Sequence, residues 1–216
     1  LMEAVDLVFV TGSQDNVRRA YSSGTPAIGV GAGNVPVIID ETADLDSAAQ
    51  KICASKTFDN ATSCSSENAV VIVDAVYDQA IEALKRAGGY LADASQKMKI
   101  QNELWKNGKL NRHLIAQDMR VLVESFNLPG EASKSKYILV EETGIGRDYP
   151  LSGEKLALVL TVYRAKDFAA AKEIVGKILD FQGRGHSMGL HTTNMARARE
   201  LAEDLPVVRV LINFAH

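Results

Sequence analysis

The stretch Lys56-Thr57-Phe58-Asp59-Asn60-Ala61-Thr62-Ser63-Cys64-Ser65-Ser66-Glu67, followed by Asn68-Ala69-Val70-Val71-Ile72-Val73, decides how this chain is read. Before it, Leu45, Ala49, Ile52 and Cys53 recur at the spacing of one helical face. After it, Ala69–Val73 is a short β-branched run that reads as a strand. Helix, polar connection and strand therefore follow in direct succession. Further strand candidates are Leu7–Val10, Pro36–Ile39, Tyr137–Val140, Leu156–Tyr163, Met188–His191 and Val207–Ile212. Between them run helical faces: Val76, Ala80, Ala83, Leu84 and Ala87, closed by Gly88-Gly89; Phe168, Ala171, Ile174, Val175 and Ile178; and Ala198, Leu201 and Ala202. Residues 93–130 read as helical pieces with turns at Asn107-Gly108 and Pro129-Gly130. This alternation predicts an α/β fold with a mostly parallel sheet.

The composition, 46% hydrophobic and 24% charged, is that of a folded globular chain. A net charge of -3 gives no footprint for nucleic acid or an anionic membrane, so neither is expected as a partner. Two cysteines are too few for a disulfide framework and suggest a cytoplasmic setting. No run approaches the roughly 18 apolar residues of a membrane span. Strand-like segments lie close to both termini, and the chain is read as a fragment of a longer protein.

Chemistry concentrates in a few segments. Cys53 sits on an apolar helical face, where burial raises a thiol pKa and leaves it inert; Cys64 sits in a polar connection that can expose a thiolate. Sequence position alone leaves Cys64 balanced between a small core hydrophobe and a nucleophile. Thr11-Gly12-Ser13 reads either as a helix N-cap or as a phosphate contact at a helix start. Gly29-Val30-Gly31-Ala32-Gly33 invites a dinucleotide-fingerprint reading, but Asn34–Ile39 continues as an extended run instead of opening a helix. His113, His191 and His216 have no metal-ligand spacing with one another or with the cysteines, and no metal is expected.

Four segments carry a family resemblance. Ser55–Cys64, with its Phe58-Asp59-Asn60, resembles the cysteine segment of the aldehyde dehydrogenase superfamily, and its coenzyme-A-acylating branch in particular. Thr11-Gly12-Ser13, Pro26–Asn34 and Ser152-Gly153-Glu154-Lys155-Leu156 are similar to further segments of that branch, in the required order. The resemblance extends over essentially the whole chain. Within the branch, Val140–Gly146 and Tyr149–Lys155 most resemble the sulfoacetaldehyde group.

The resemblance implies a three-layer catalytic domain over residues 31–216, with residues 1–30 left from the NAD(P)-binding domain. It implies oxidation of a small aldehyde with NAD or NADP and coenzyme A, in a homo-oligomer. Catalytic roles fall to Cys64, as the thiolate that forms a thiohemiacetal and then a thioester, and to Asn60 and His186. For His186 a structural role stands beside the catalytic one. Cofactor binding falls to Thr11, Gly12, Ser13, Val30, Gly31 and Glu154, the last bonding the ribose next to the nicotinamide. Val30 stands where hydrolytic members carry a glutamate base. General-base help is typically worth about 10²–10⁴ in rate, so its loss favours attack by a thiol over attack by water. Glu67 is the nearby carboxylate that could replace it. The rival readings are a hydrolytic aldehyde dehydrogenase and a non-catalytic assembly module. Leu158 stands where the family usually has proline.

Overall fold

The computed structural model describes residues 1–12 and 14–216, leaving Ser13 outside the described residues. The chain forms two compact units, Leu1–Gly33 and Asn34–His216.

In the first unit, β1 (Val8–Thr11) leads to α1 (Gln14–Tyr21) and then to β2 (Ala27–Val30). The two strands pair in parallel, Val8 opposite Ala27 and Thr11 opposite Val30. Ala27–Val30 is not among the strands expected from the sequence. Glycine is required there by packing: a Cβ at Gly29 would lie 2.6 Å from Val17 Cγ1 and 3.0 Å from Tyr21 Cε2 of α1. Residues 31–34 then pass to another strand with no helix between, which agrees with rejecting a dinucleotide fingerprint here.

The second unit runs β3 (Val35–Ile39), α2 (Leu45–Thr57), β4 (Glu67–Val73), α3 (Tyr77–Arg86), β5 (Gly89–Ala92) and α4 (Ala94–Leu104). A small antiparallel hairpin follows, β6 (Trp105–Lys106) and β7 (Lys109–Leu110), then α5 (Met119–Ser125) and β8 (Tyr137–Glu141). β9 (Val159–Ala165), α6 (Phe168–Phe181), β10 (Ser187–His191), α7 (Met195–Asp204) and β11 (Arg209–Ile212) complete it. The hairpin turns on Asn107-Gly108, both at positive φ (54° and 71°), the pair that favours such two-residue turns.

Seven strands form one sheet in the order β11-β10-β3-β4-β9-β8-β5, and every pairing is parallel. Period-2 alternation divides β3 and β4 between two cores. Val37, Ile39, Val70 and Ile72 join Ala49 and Ile52 of α2 and Ala80 and Leu84 of α3. Ile38, Ala69, Val71 and Val73 join Ala171, Val175 and Ile178 of α6 and Leu201 of α7. Both faces are covered by helices, so the central strands are buried along their whole length and read as continuous apolar runs. This is the expected three-layer α/β architecture.

Two departures from the sequence reading have plain physical reasons. The strand expected from Leu156 starts at Val159, because Leu156 has φ 48°, a left-handed conformation that ends extended pairing. Gly89–Ala92, masked by the helix stop at Gly88, is the edge strand β5. A Cβ at Gly89 would lie 2.9 Å from Leu139 Cδ1 and 3.0 Å from Leu84 O, so the strand packs here only with glycine.

Candidate active site

Because the sheet of the second unit is wholly parallel, the N-terminal ends of its strands share one edge. His186 precedes β10, Asn34 precedes β3, Cys64 precedes β4 and Glu154 lies shortly before β9, and these four strands are neighbours in the sheet. Residues far apart in sequence thus converge on one edge, opposite to the carboxyl-end location usual for ligands of open α/β sheets.

Cys64 occupies a tight turn in which the Ser66 N–H donates to Ser63 O at 3.0 Å. It is exposed, whereas Cys53 is buried; burial pushes the Cys53 thiol up and makes it less reactive. The Cys64 N–H has no acceptor among the described residues. Upstream, Asp59, Asn60 and Ala61 stand at φ 46°, 50° and 64°. Left-handed residues other than glycine cost roughly 1–3 kcal/mol each and persist only where surrounding bonds fix them. Asn60 supplies such bonds: its Nδ2 donates to Ala116 O (3.1 Å) and Asp118 Oδ1 (2.9 Å). The Ala116 N–H donates in turn to Leu156 O (3.0 Å), which ties the cysteine segment to the segment carrying Glu154. The amide of Asn60 is therefore engaged in joining loops.

Two lysines and two glutamates also lie along this edge. Lys56 and Lys155 are fully buried; Lys56 Nζ donates to Glu67 O (3.0 Å), and Lys155 Nζ to Leu151 O (2.7 Å) and Gly153 O (2.8 Å). Glu67 is fully buried and accepts from Ser55 Oγ. Burial brings Lys56 down to about 7, Glu67 up to about 7, and Lys155 well below the ordinary lysine range. The Glu154 carboxylate takes no hydrogen bond from the described residues, while its N–H donates to Gln182 Oε1 (2.8 Å). Burial raises it to about 7 against the pull of Lys155 and Lys56. An unpartnered carboxylate in this setting fits a ligand that offers hydroxyl donors. Asn34 Nδ2 donates to Ser152 O (2.8 Å), and Lys155 N to Asn68 Oδ1 (3.0 Å), so the Ser152–Lys155 segment is held from β3 and β4.

His186 is half-buried, with Nδ1 3.0 Å from Ser187 Oγ, a hydroxyl that also meets Arg209 Nη2 at 3.3 Å. Burial, and then Arg209, lower its pKa, which favours the neutral ring. In the first unit, Thr11 and Val30 are neighbours at the C-terminal ends of their paired strands. Val30 is 44% exposed. Gly12 follows β1 at φ 117°, and a Cβ on Gly31 would come within 3.0 Å of Gln14 Nε2. Ser13 is outside the described residues.

Sequence reading named Cys64, Asn60, His186 and Glu154 but passed over Lys56, Asn34 and Lys155. A signal was available for Lys56: it stands four residues after Ile52 and three after Cys53, on the apolar face of α2.

The aldehyde dehydrogenase family profile matches residues 2–104. A sulfoacetaldehyde dehydrogenase (acylating) of Cupriavidus necator is 53% identical over all of this chain, which covers 44% of that protein. An acetylating aldehyde dehydrogenase from Geobacillus thermoglucosidasius superposes with a TM-score of 0.94 at 35% identity, over 100% of this chain and 48% of its own. A propionaldehyde dehydrogenase from Rhodopseudomonas palustris, solved with bound CoA and an acylated cysteine, gives a TM-score of 0.86 at 25% identity, over 99% of this chain and 49% of its own. The chain thus spans just under half the length of these relatives. Profile, relatives and fold agree that the chain is similar, along its whole length, to acylating aldehyde dehydrogenases.

Proposed function

We propose that the protein carrying this chain oxidises a small aldehyde to an acyl-CoA, with Cys64 as the acyl carrier. The observation that carries this reading is the exposed Cys64 turn at the sheet edge where Glu154 and His186 converge. The Cys64 thiolate adds to the aldehyde carbon and forms an S–C bond. The oxyanion of that thiohemiacetal accepts from backbone N–H groups of the turn, the free Cys64 N–H among them. NAD or NADP, when bound, supplies the hydride acceptor. Loss of hydride leaves a thioester on Cys64. The thiol of coenzyme A then attacks the acyl carbon, and the bond to Cys64 breaks. Neutral His186 is suited to take the proton of that thiol. Asn60 acts by positioning the cysteine segment, through Ala116 and Asp118.

For the cofactor we assign Glu154 to the ribose hydroxyls, with Thr11, Gly12, Ser13, Val30 and Gly31 on the dinucleotide side. Residues 1–30 then belong to the cofactor-binding domain and 31–216 to the catalytic domain. Val30 offers no base for water, which leaves the thioester to the thiol. The similarity to the Cupriavidus protein supports a sulfonated two-carbon aldehyde as substrate. A cytoplasmic homo-oligomer completes the reading.

The test is product identity by mass spectrometry on the intact protein, with an aldehyde panel, NAD or NADP, and coenzyme A present or omitted. An acyl-CoA product that depends on coenzyme A is expected. Equal carboxylate formation in both conditions would refute the acylating reading. Val30→Glu is expected to raise the hydrolysed fraction.

A further inference from the structure

The aldehyde chemistry leaves one buried group beside the Cys64 turn without a task. Glu67 follows the turn directly, opens β4 and is fully buried. One carboxylate oxygen accepts from Ser55 Oγ, while the other, Oε1, is buried with no hydrogen bond within 3.5 Å among the described residues. The peptide carbonyl of the same residue accepts from Lys56 Nζ, also fully buried. The next residue, Asn68, accepts the Lys155 N–H at Oδ1. The backbone just after Cys64 is therefore held by two adjacent residues of α2, one of them cationic, and by the segment carrying Glu154. Unpaired charge is costly in such surroundings, so either member of the Lys56–Glu67 pair changes its grip when it gains or loses a proton.

We propose that Lys56 and Glu67 are positioning residues for Cys64, and that the protonation state of this buried pair sets how readily the thiol reacts. The pair is faced by Ser55 from α2, by Glu154 and Lys155 from the segment before β9, by Tyr137 from β8 and by the backbone of His216. Burial brings both groups to about 7, so the pair passes from net positive to net negative through neutrality. Below that point the lysine is charged and the carboxyl neutral. Above it, the neutral amine is a weaker donor to Glu67 O and the carboxylate oxygen without a partner carries charge. The consequence for turnover rests on the reading of Cys64 as acyl carrier. The reactivity itself does not.

The experiment is the rate of Cys64 alkylation by iodoacetamide from mildly acidic to mildly alkaline pH, with peptide mapping to separate Cys64 from Cys53. The unsubstituted chain is expected to show a step near neutrality on top of the thiol's own titration. Glu67→Gln and Lys56→Met are expected to lose that step. Ser55→Ala, the mildest change, removes a bond that holds the Glu67 carboxyl down and is expected to move the step to higher pH. A single thiol titration in the unsubstituted chain would overturn the proposal. So would a step unmoved by Ser55→Ala, a result available even if the charge variants fail to fold. Retained aldehyde oxidation in Cys64→Ala would remove the acyl-carrier reading and leave the labelling result standing. A flat labelling profile, with Cys64 still required for turnover, would remove this inference alone.

Discussion

Replacing Gly183 by alanine tests whether the sheet edge is as tightly built as the contacts indicate. Gly183 lies between α6 and β10 at φ 103°, outside the region that alanine tolerates. A Cβ there would sit 2.6 Å from the backbone oxygen of Asn34 and 3.0 Å from its Cβ. Asn34 is fully buried and holds Ser152 O through its side chain, so it cannot move without disturbing the segment that carries Glu154. Backbone strain of this kind costs roughly 1–3 kcal/mol. Overpacking against a fixed neighbour adds about 1–3 kcal/mol. At about 2–4 °C per kcal/mol for a chain of this size, a central cost of about 4 kcal/mol lowers Tm by roughly 8–16 °C. Gly185→Ala is the internal control. It shares positive φ (79°) but meets no heavy atom within 4 Å, so strain alone, about 1 kcal/mol, is expected. Calorimetric melts of both variants separate clash from strain. Equal melting temperatures would refute the argument.

Alkylation followed by peptide mapping is expected to modify Cys64 well before Cys53, which is buried and held in its thiol form; preferential labelling of Cys53 would reverse the assignment. Asn60→Ala is expected to lower stability by about 1–2 kcal/mol through loss of the bonds to Ala116 and Asp118. Asn60→Gly, which tolerates φ 50°, is expected to cost less, and the order of urea midpoints checks this. At Asp40 burial acts to raise the pKa, but bonds from Thr192, Arg197 and Thr42 outweigh it and hold the carboxyl below its ordinary value. Asp40 therefore stabilises the fold above the unfolded carboxylate range, and that contribution is lost as pH falls through the lowered folded value. Acid titration of stability should show a shallower loss in Asp40→Asn.

Much of the architecture was legible because the central strands are buried on both faces. Ala69–Val73 and Pro36–Ile39 are unbroken apolar runs, and the helices between them keep a clean face toward one core. The strands not expected, β2 and β5, are short and contain glycines. Their purpose, close approach to Val17 or to Leu139, exists only in three dimensions. The candidate nucleophile was legible for the opposite reason: a thiol within a polar connection contrasts with one on an apolar face. The ionisable groups around it were not. Glu67 is legible only as a possible base and Lys56 only by its place on the apolar face of α2; that the fold buries both is not. Asn60 was legible as important, but its bonds go to residues 116 and 118, a separation that no local pattern shows.

The most direct test of the central claim is to follow the acyl group itself. The intact protein is given an aldehyde and NAD or NADP without coenzyme A, quenched, and mapped by peptide mass spectrometry, then chased with coenzyme A. A single acyl adduct is expected on the Cys64 peptide, absent in Cys64→Ala, that coenzyme A removes as acyl-CoA far faster than water releases it as acid. An adduct on any other residue, or an acyl-Cys64 whose release rate is unchanged by coenzyme A, would contradict it.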